Sequence, residues 1–112
     1  PLTYTGTGSM IICLIEFETI PGMEGEQERW LADLMPIVET IPGFRGKESY
    51  THISGDGRVS TISYWDDEAS LRGWTREPRH KEAMKVGRES IFSRYEIRIC
   101  SELRHYENKV EN

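Results

Sequence analysis

Residues 10–17 read MIICLIEF, and seven of these eight side chains are apolar. A strand with one buried face alternates apolar and polar residues, whereas a strand that is apolar at nearly every position needs cover on both faces. The run therefore predicts a strand that is covered on both faces, by helices on one and by something else on the other.

The segment that follows this strand is predicted to be a helix. Pro21-Gly22 ends the strand, and residues 23–40 (MEGEQERWLADLMPIVET) carry apolar side chains at three- and four-residue steps. This spacing is typical of an amphipathic helix. Pro36 is expected to kink the helix or to end it early.

The next segment is predicted to be a β-hairpin. Pro42-Gly43 marks a turn into residues 44–53 (FRGKESYTHI), and residues 54–57 (SGDG) tolerate the positive φ angles that a hairpin turn requires. Residues 58–65 (RVSTISYW) then form the antiparallel partner. Strict alternation would place four residues of the first strand on one face: Phe44, Glu48, Tyr50 and His52.

The second half of the chain predicts two helical segments and a last strand. Asp66-Asp67 supplies an N-cap and negative charge for a short helix over DEASLRGW (67–74). A second helix is expected from Pro78 to Glu89, with proline at its start. From Ser90 the pattern alternates again towards Leu103, with Tyr95, Ile97 and Ile99 on one face.

The predicted order is β-α-β-β-α-β, an α+β, ferredoxin-like split with a four-stranded antiparallel sheet and its helices on one face. The apolar second face of the first strand is then uncovered. A second copy packed sheet against sheet would cover it and form a homodimeric α+β barrel. The alternative is a monomer with a partly polar open face.

Length and charge narrow the classes of protein further. A chain of 112 residues is long enough for one core, and we expect the domain to span residues 10–106, between a flexible leader or tag remnant at 1–9 and a polar tail at 107–112. The formal net charge of -5 disfavours nucleic acid and anionic membranes as partners. With no apolar run long enough for a membrane span, the sequence predicts a soluble, cytoplasmic protein.

The two cysteines lie in separate strand-like runs. Cys13 lies within ICLI and Cys100 ends IRIC. We expect two small buried side chains in a reducing compartment, with a disulfide or a redox role as the alternative. Their spacing is not that of metal ligands.

The candidate site is a cavity between the helices and the sheet. His80, Met84 and Arg88 recur at i, i+4 and i+8, beside Ala83 and Gly87, which are small enough for close backbone approach. With Trp74 these side chains predict a pocket for a flat, partly anionic aromatic ligand. Further candidates for contact with the substrate are Trp65 at a strand end, Tyr50 and His52 on the second strand, and Glu16 on the first.

Each of these residues also has a structural interpretation. A tryptophan on an amphipathic helix is often part of the core, and a histidine near a helix start is often a surface or packing residue. Arg88 has Glu82, Glu89 and Glu96 as possible ion-pair partners. Trp65 fits a structural role better than a functional one.

The chain resembles the antibiotic biosynthesis monooxygenase family over about Met10 to Tyr106. The resemblance rests on Pro42-Gly43-Phe44, on Trp65 followed by acidic residues, on the Trp74-to-His80 segment, and on Gly87-Arg88 before the Tyr95 strand. It implies a small dimeric barrel that uses O2 on an anthrone, a quinol or another phenol, with neither flavin nor metal. The substrate, once deprotonated, would reduce O2 itself.

The same resemblance leaves two other functions open. In the heme-degrading branch the resemblance implies an Asn on the first strand and an axial His, where this chain has Glu16 and Met84. His80 lies one turn earlier, so we expect heme binding to be weak or absent. The other alternative is a dimer that binds a small ligand without catalysis.

The residue types suggest separate roles within the predicted pocket. Trp74 would form an aromatic wall and His80 would transfer the substrate proton, because imidazole titrates near neutral pH. Arg88 stays charged and would stabilise the developing oxyanion.

Overall fold

The computed structural model describes residues 3–7 and 10–110, with side chains from Met10 to Val110. None of the described helices is long and apolar enough to cross a membrane. The elements in chain order are β1 (Thr3–Thr7), β2 (Ile11–Thr19), α1 (Glu24–Val38), β3 (Phe44–Thr51), β4 (Arg58–Trp65), α2 (Glu68–Thr75), α3 (Pro78–Val86), a π-helical turn (Gly87–Ile91), β5 (Phe92–Ser101) and β6 (Arg104–Glu107).

The main sheet has the order β3-β4-β2-β5, and all of its neighbours are antiparallel. Strand β2, which contains most of the MIICLIEF run, is therefore a central strand with a partner on each side. This confirms the predicted α+β, ferredoxin-like fold with a four-stranded antiparallel sheet.

The two faces of β2 differ in what they contact. Ile11 and Cys13 are buried in the core that the sheet shares with the helices, together with Leu34 and Val38 of α1. Ile12 and Leu14 alternate with them and point to the opposite face, where they are half-buried. The core thus accounts for only one of the two apolar faces of this strand.

Helix α1 continues through its proline. It runs from Glu24 to Val38 with Pro36 inside it, so the expected early end is wrong. Pro36 removes one backbone donor but lies only two residues before the end, where little of the helix depends on it. Val38 remains fully packed, with 1% of its surface exposed.

Helix α2 begins at the predicted cap. The Asp67 side chain accepts a hydrogen bond of 2.8 Å from the backbone N–H of Ser70. Hydrogen bonds from Ser70 hold the pKa of the Asp67 carboxyl below its ordinary value. Gly43 lies against this helix start with φ of +85°, and a Cβ built there would be 2.0 Å from Ser70 Oγ. The Pro42-Gly43 turn therefore requires glycine.

A β-bulge changes the faces of β3. The register with β4 shifts between Phe44 and Gly46, after which Lys47 pairs with Ser63 on the helix-facing side. The prediction that Phe44 shares a face with Glu48, Tyr50 and His52 is wrong for this reason. Phe44 faces the core and the other three face away.

The chain ends are paired with each other. Strand β1 (Thr3–Thr7) pairs antiparallel with β6 (Arg104–Glu107) in a separate two-stranded sheet. Regular structure in the described residues thus extends from Thr3 to Glu107, while the domain bounds of 10–106 remain a prediction. Strands β1 and β6 contain few apolar residues, so no hydrophobic pattern predicted their pairing.

The cysteines have different environments. Cys13 is buried beneath the helices, whereas Cys100, on the opposite face of the sheet, is exposed. The expectation of two buried side chains is wrong for Cys100. Both thiols are free.

Candidate active site

A cavity of about 610 Å³ lies between the helices and the helix-facing side of the sheet. Its lining is mostly apolar, and its floor comes from alternate residues of the central strands. Side chains from α1, α2 and α3 cover it. Six of the residues that line it are Trp30, Lys47, Trp74, His80, Met84 and Arg88.

His80 is held by Trp74, six residues earlier in the chain. The two rings stack with centroids 4.1 Å apart and planes inclined by 17°. His80 Nδ1 lies 3.1 Å from the backbone carbonyl oxygen of Trp74. A carbonyl oxygen can only accept, so Nδ1 carries the proton and Nε2 is left with a free lone pair.

The local sequence explains why His80 occupies this position. Glu77 caps α3 by accepting a hydrogen bond of 2.9 Å from the backbone N–H of His80, and Pro78 fits the first helical turn. The short link between α2 and α3 brings the last carbonyls of α2 over the start of α3. His80 reaches the carbonyl of Trp74, which also accepts a hydrogen bond of 3.1 Å from the backbone N–H of Glu77.

The environment of His80 keeps its imidazole neutral. Burial lowers its pKa below the ordinary value of 6.5, and the positive charge of Lys47 lowers it further. The hydrogen bond to Trp74 and the charge of Glu77 act in the opposite direction without cancelling the shift. At neutral pH His80 is thus a base rather than a cation.

Lys47 is a cavity residue that the sequence analysis missed. The bulge turns its side chain toward the helices, opposite Ser63, and burial lowers the pKa of its ammonium group. No carboxylate of residues 10–110 lies within ion-pair distance of it. Gly46, inside a strand-like run, was the available signal, because such glycines often mark bulges.

Met84 and Arg88 line the cavity as predicted, one on α3 and one on the π-helical turn. Arg88 is exposed, so it lies at the cavity opening rather than in its interior. Gly87 permits close approach, since a Cβ there would be 2.6 Å from the Phe92 ring.

Trp30 of α1 is a second aromatic wall that the sequence analysis assigned only to the helix pattern. The guanidinium of Arg79 lies 4.4 Å from the Trp30 ring centroid and 2.7 Å from a carboxylate oxygen of Asp33. These contacts join α3 to α1 across the top of the cavity.

Four predicted substrate contacts do not line the cavity. Trp65 is completely buried in the core, where its Nε1 donates to Ser63 Oγ over 2.9 Å. Glu16, Tyr50 and His52 lie on the opposite face of the sheet. There Glu16 contacts Arg58 at 3.2 Å, Tyr50 donates to Glu48, and His52 Nε2 lies 3.1 Å from Ser60 Oγ.

Metal-ligating side chains do not converge here. In the part of the chain that is described, no three His, Cys, Asp or Glu side chains are arranged to hold a metal ion. The donor that a heme iron would find in the cavity is the single Nε2 of His80, with the Met84 thioether on the same helix.

The sequence of the chain matches a known protein family. Residues 10–86, more than half of the chain, match the family model described as antibiotic biosynthesis monooxygenase. An uncharacterized Bacillus subtilis protein, YqjZ, is 36% identical over 67 residues. A jasmonate monooxygenase from Pyricularia oryzae is 32% identical over 66 residues. These matches cover 60% and 59% of this chain but only 57% and 31% of the two relatives.

Solved structures share the fold at low sequence identity. A Shewanella oneidensis protein, SO0527, superimposes with a TM-score of 0.77 at 13% identity, covering 94% of this chain and all of that one. SnoaB, a cofactor-independent oxygenase from Streptomyces nogalater, superimposes with a TM-score of 0.72 at 17% identity, covering 84% and 93%.

The electrostatic link between Lys47 and His80 can be tested without a substrate. In Lys47→Met the positive charge that lowers the His80 pKa is gone, so that pKa should rise toward 6.5. NMR titration of the histidine ring protons measures it. Lys85→Met, also on the cavity lining, is the matched control and should leave the His80 pKa in place. Equal shifts in both variants would contradict the assignment.

Proposed function

Because the chain belongs to the antibiotic biosynthesis monooxygenase family, we propose that it is a monooxygenase that oxidises an electron-rich aromatic substrate with O2 and without a cofactor. The family match and the monooxygenases among its relatives support a monooxygenase-like function. The class of substrate, a quinol, an anthrone or a polyketide phenol, is the finer part of the proposal.

The observation that carries the proposal is the fixed tautomer of His80 at the wall of an apolar cavity. A neutral imidazole whose Nδ1–H is already donated presents Nε2 as a base. The lowered pKa keeps that base unprotonated at neutral pH. A substrate C–H or O–H that is acidified by an aromatic ring can therefore lose its proton to His80.

The reaction balances for a methylene group of an anthrone. His80 Nε2 takes one proton, and the resulting carbanion gives its electrons to O2, forming a C–O bond to a peroxide. The second C–H proton is then lost as the O–O bond breaks. Hydroxide leaves and takes a proton to become water, so RCH2R and O2 give RC(=O)R and H2O. The substrate supplies all the electrons that O2 accepts.

Lys47 replaces Arg88 as the oxyanion donor in this proposal. Charge develops where the proton is removed, close to His80, and Lys47 is the half-buried cation of the cavity whose charge lowers the His80 pKa. A preorganised donor in a poorly hydrated site stabilises developing charge far more than an exposed one does. Arg88 is exposed and stays available for another part of the substrate.

Trp74 and Trp30 give the cavity its shape for an aromatic ligand. Both line it, and Trp74 is 8% exposed. Because Trp74 also supports the His80 ring, it positions the base as well as walling the pocket. Flat aromatic walls orient a planar substrate, which lowers the entropy lost on reaching the reactive geometry.

Heme binding is the second candidate function, favoured by the free Nε2 of His80 and by basic residues at the cavity opening. Heme would be held through this nitrogen, with Lys81 and Lys85 near its propionates, and its iron would supply O2 activation. The chain offers one axial nitrogen in the cavity, so we rank this function below the cofactor-independent one.

We further propose that the protein is a homodimer built on the outer face of the sheet. Cross-strand pairs Ile12–Tyr64 and Leu14–Ile62 form a half-buried apolar strip there, opposite the face that the helices pack on. An apolar strip on a sheet face is a typical site for a second copy.

Light scattering tests the dimer. We expect about twice the 13.0 kDa chain mass for the parent, and a mass close to one chain for Leu14→Arg, because an arginine in the middle of the strip leaves an unpaired charge at the interface. Circular dichroism confirms that the variant stays folded. A monomeric parent would refute the barrel.

Oxygen uptake tests the catalytic proposal. The parent should consume O2 with an anthrone or a quinol after removal of metals, and His80→Ala should lower kcat/KM by roughly a hundredfold or more. The acidic limb of the pH profile should lie below 6.5, since activity is lost as His80 becomes protonated through its lowered pKa. His52→Ala, on the opposite face, is the matched control and should keep parental kcat/KM.

Three results would replace the proposal. If His80→Ala keeps near-parental kcat/KM, His80 is a packing residue and the assignment is wrong. If hemin instead gives a Soret spectrum that His80→Ala abolishes, and reductant then destroys the heme, the second candidate is correct. Ligand binding without O2 uptake would identify a non-catalytic binding protein.

A further inference from the structure

The cavity lining is positively charged in an acidic protein. Lys47, Lys81, Lys85 and Arg88 line it together with His80, and the lining contains neither aspartate nor glutamate. The whole chain has 19 acidic against 14 basic residues. The cavity lining is therefore positively charged, although the chain as a whole is negatively charged.

Within residues 10–110 these four cations have no carboxylate partner, whereas seven of the ten other cations have one. Seven arginines of residues 10–110 form ion pairs with carboxylates: Arg29, Arg45, Arg58, Arg72, Arg79, Arg94 and Arg98. Within the same range no carboxylate pairs with a cation of the cavity. The cavity lining thus contains four of the seven unpaired cations of residues 10–110, the others being Arg76, Arg104 and Lys109.

Lys81, Lys85 and Arg88 form a basic edge at the cavity opening. They follow each other at i, i+4 and i+7 on α3 and the π-helical turn, so they lie along one side of this segment. All three are exposed while also lining the cavity, which places them at its mouth. The other exposed lining residues are Thr75 of α2 and the apolar β5 side chains Tyr95, Ile97 and Ile99.

We infer that this basic edge binds a carboxylate of the substrate, so that the substrate is a quinol, an anthrone or a phenol that carries a carboxylate rather than a neutral one. The aromatic body would fill the cavity between Trp30 and Trp74, and the carboxylate would remain at the partly hydrated mouth. The inference rests on the proposed function and narrows it. Lys47, inside the cavity, would stabilise the reacting oxygen, and the basic edge would bind the carboxylate at the opposite end of the substrate.

Binding calorimetry on the whole protein tests the inference without requiring turnover. The probes are 2-naphthoate and its neutral isostere 2-naphthamide. The parent should bind the carboxylate roughly fivefold tighter, because each contact with an exposed cation contributes modestly and two or three act together. The preference should shrink as salt is raised.

Paired variants separate local contact from overall charge. The double variant Lys81→Gln/Lys85→Gln should bind 2-naphthoate roughly 3- to 10-fold more weakly than the parent and 2-naphthamide equally well. Arg76→Gln/Lys109→Gln removes the same charge at two exposed residues outside the lining and should retain the parental preference. Circular dichroism verifies that both remain folded.

Several outcomes would overturn the inference. Equal affinity for the two probes, whether both bind or neither binds, would contradict the carboxylate site. An equal loss of 2-naphthoate affinity in the two double variants would contradict it as well. Tighter binding of 2-naphthyl phosphate than of 2-naphthoate would assign the edge to phosphate instead. If the protein prefers the acid but consumes no O2, the carboxylate site stands and the proposed function is refuted. If it consumes O2 but shows no preference for the acid, the proposed function stands and the carboxylate site is refuted.

Discussion

The hydrogen bond from His80 Nδ1 to the carbonyl oxygen of Trp74 is the contact on which the candidate site depends. It joins the end of α2 to the start of α3, at a carbonyl that also accepts from the backbone N–H of Glu77. Ring stacking on Trp74 adds a second restraint on the same imidazole. One residue pair thus fixes a helix connection, a ring orientation and a tautomer.

The sheet determines which side chains meet this histidine. Because β2 is central and paired on both sides, its alternate residues form a rigid floor beneath the helices. The bulge in β3 then adds Lys47 to that floor and removes Glu48, Tyr50 and His52 from it. A single extra residue in β3 therefore decides whether Lys47 belongs to the floor of the cavity.

Much of the architecture was predictable from the sequence because it follows from periodicity. The doubly apolar run predicted a strand with both faces covered, and the three- and four-residue steps in residues 23–40 predicted α1. The site was predicted only within the continuous stretch from Trp74 to Arg88, which runs from the end of α2 through α3 into the π-helical turn and whose local geometry follows from the sequence. Tyr50, His52 and Glu16 were misplaced because their face depends on strand register and on a bulge, which no single segment encodes.

The charge pattern of the cavity could not be predicted for a related reason. Lys47 and Arg88 are distant in the sequence and ordinary in composition, and only the packing of α3 over β3 gives them a common surface. The pairing of β1 with β6 was equally hidden, since it joins two short polar segments at opposite ends of the chain.

The most direct test of this account is the tautomer of His80. Long-range proton–nitrogen correlation NMR on the uniformly labelled protein at neutral pH, with His80→Gln to assign the ring, distinguishes a protonated from an unprotonated nitrogen. The account predicts a neutral ring with the proton on Nδ1 and a free lone pair on Nε2. A ring protonated on Nε2, or on both nitrogens, would contradict it, because His80 would then have no base to offer a substrate in the cavity.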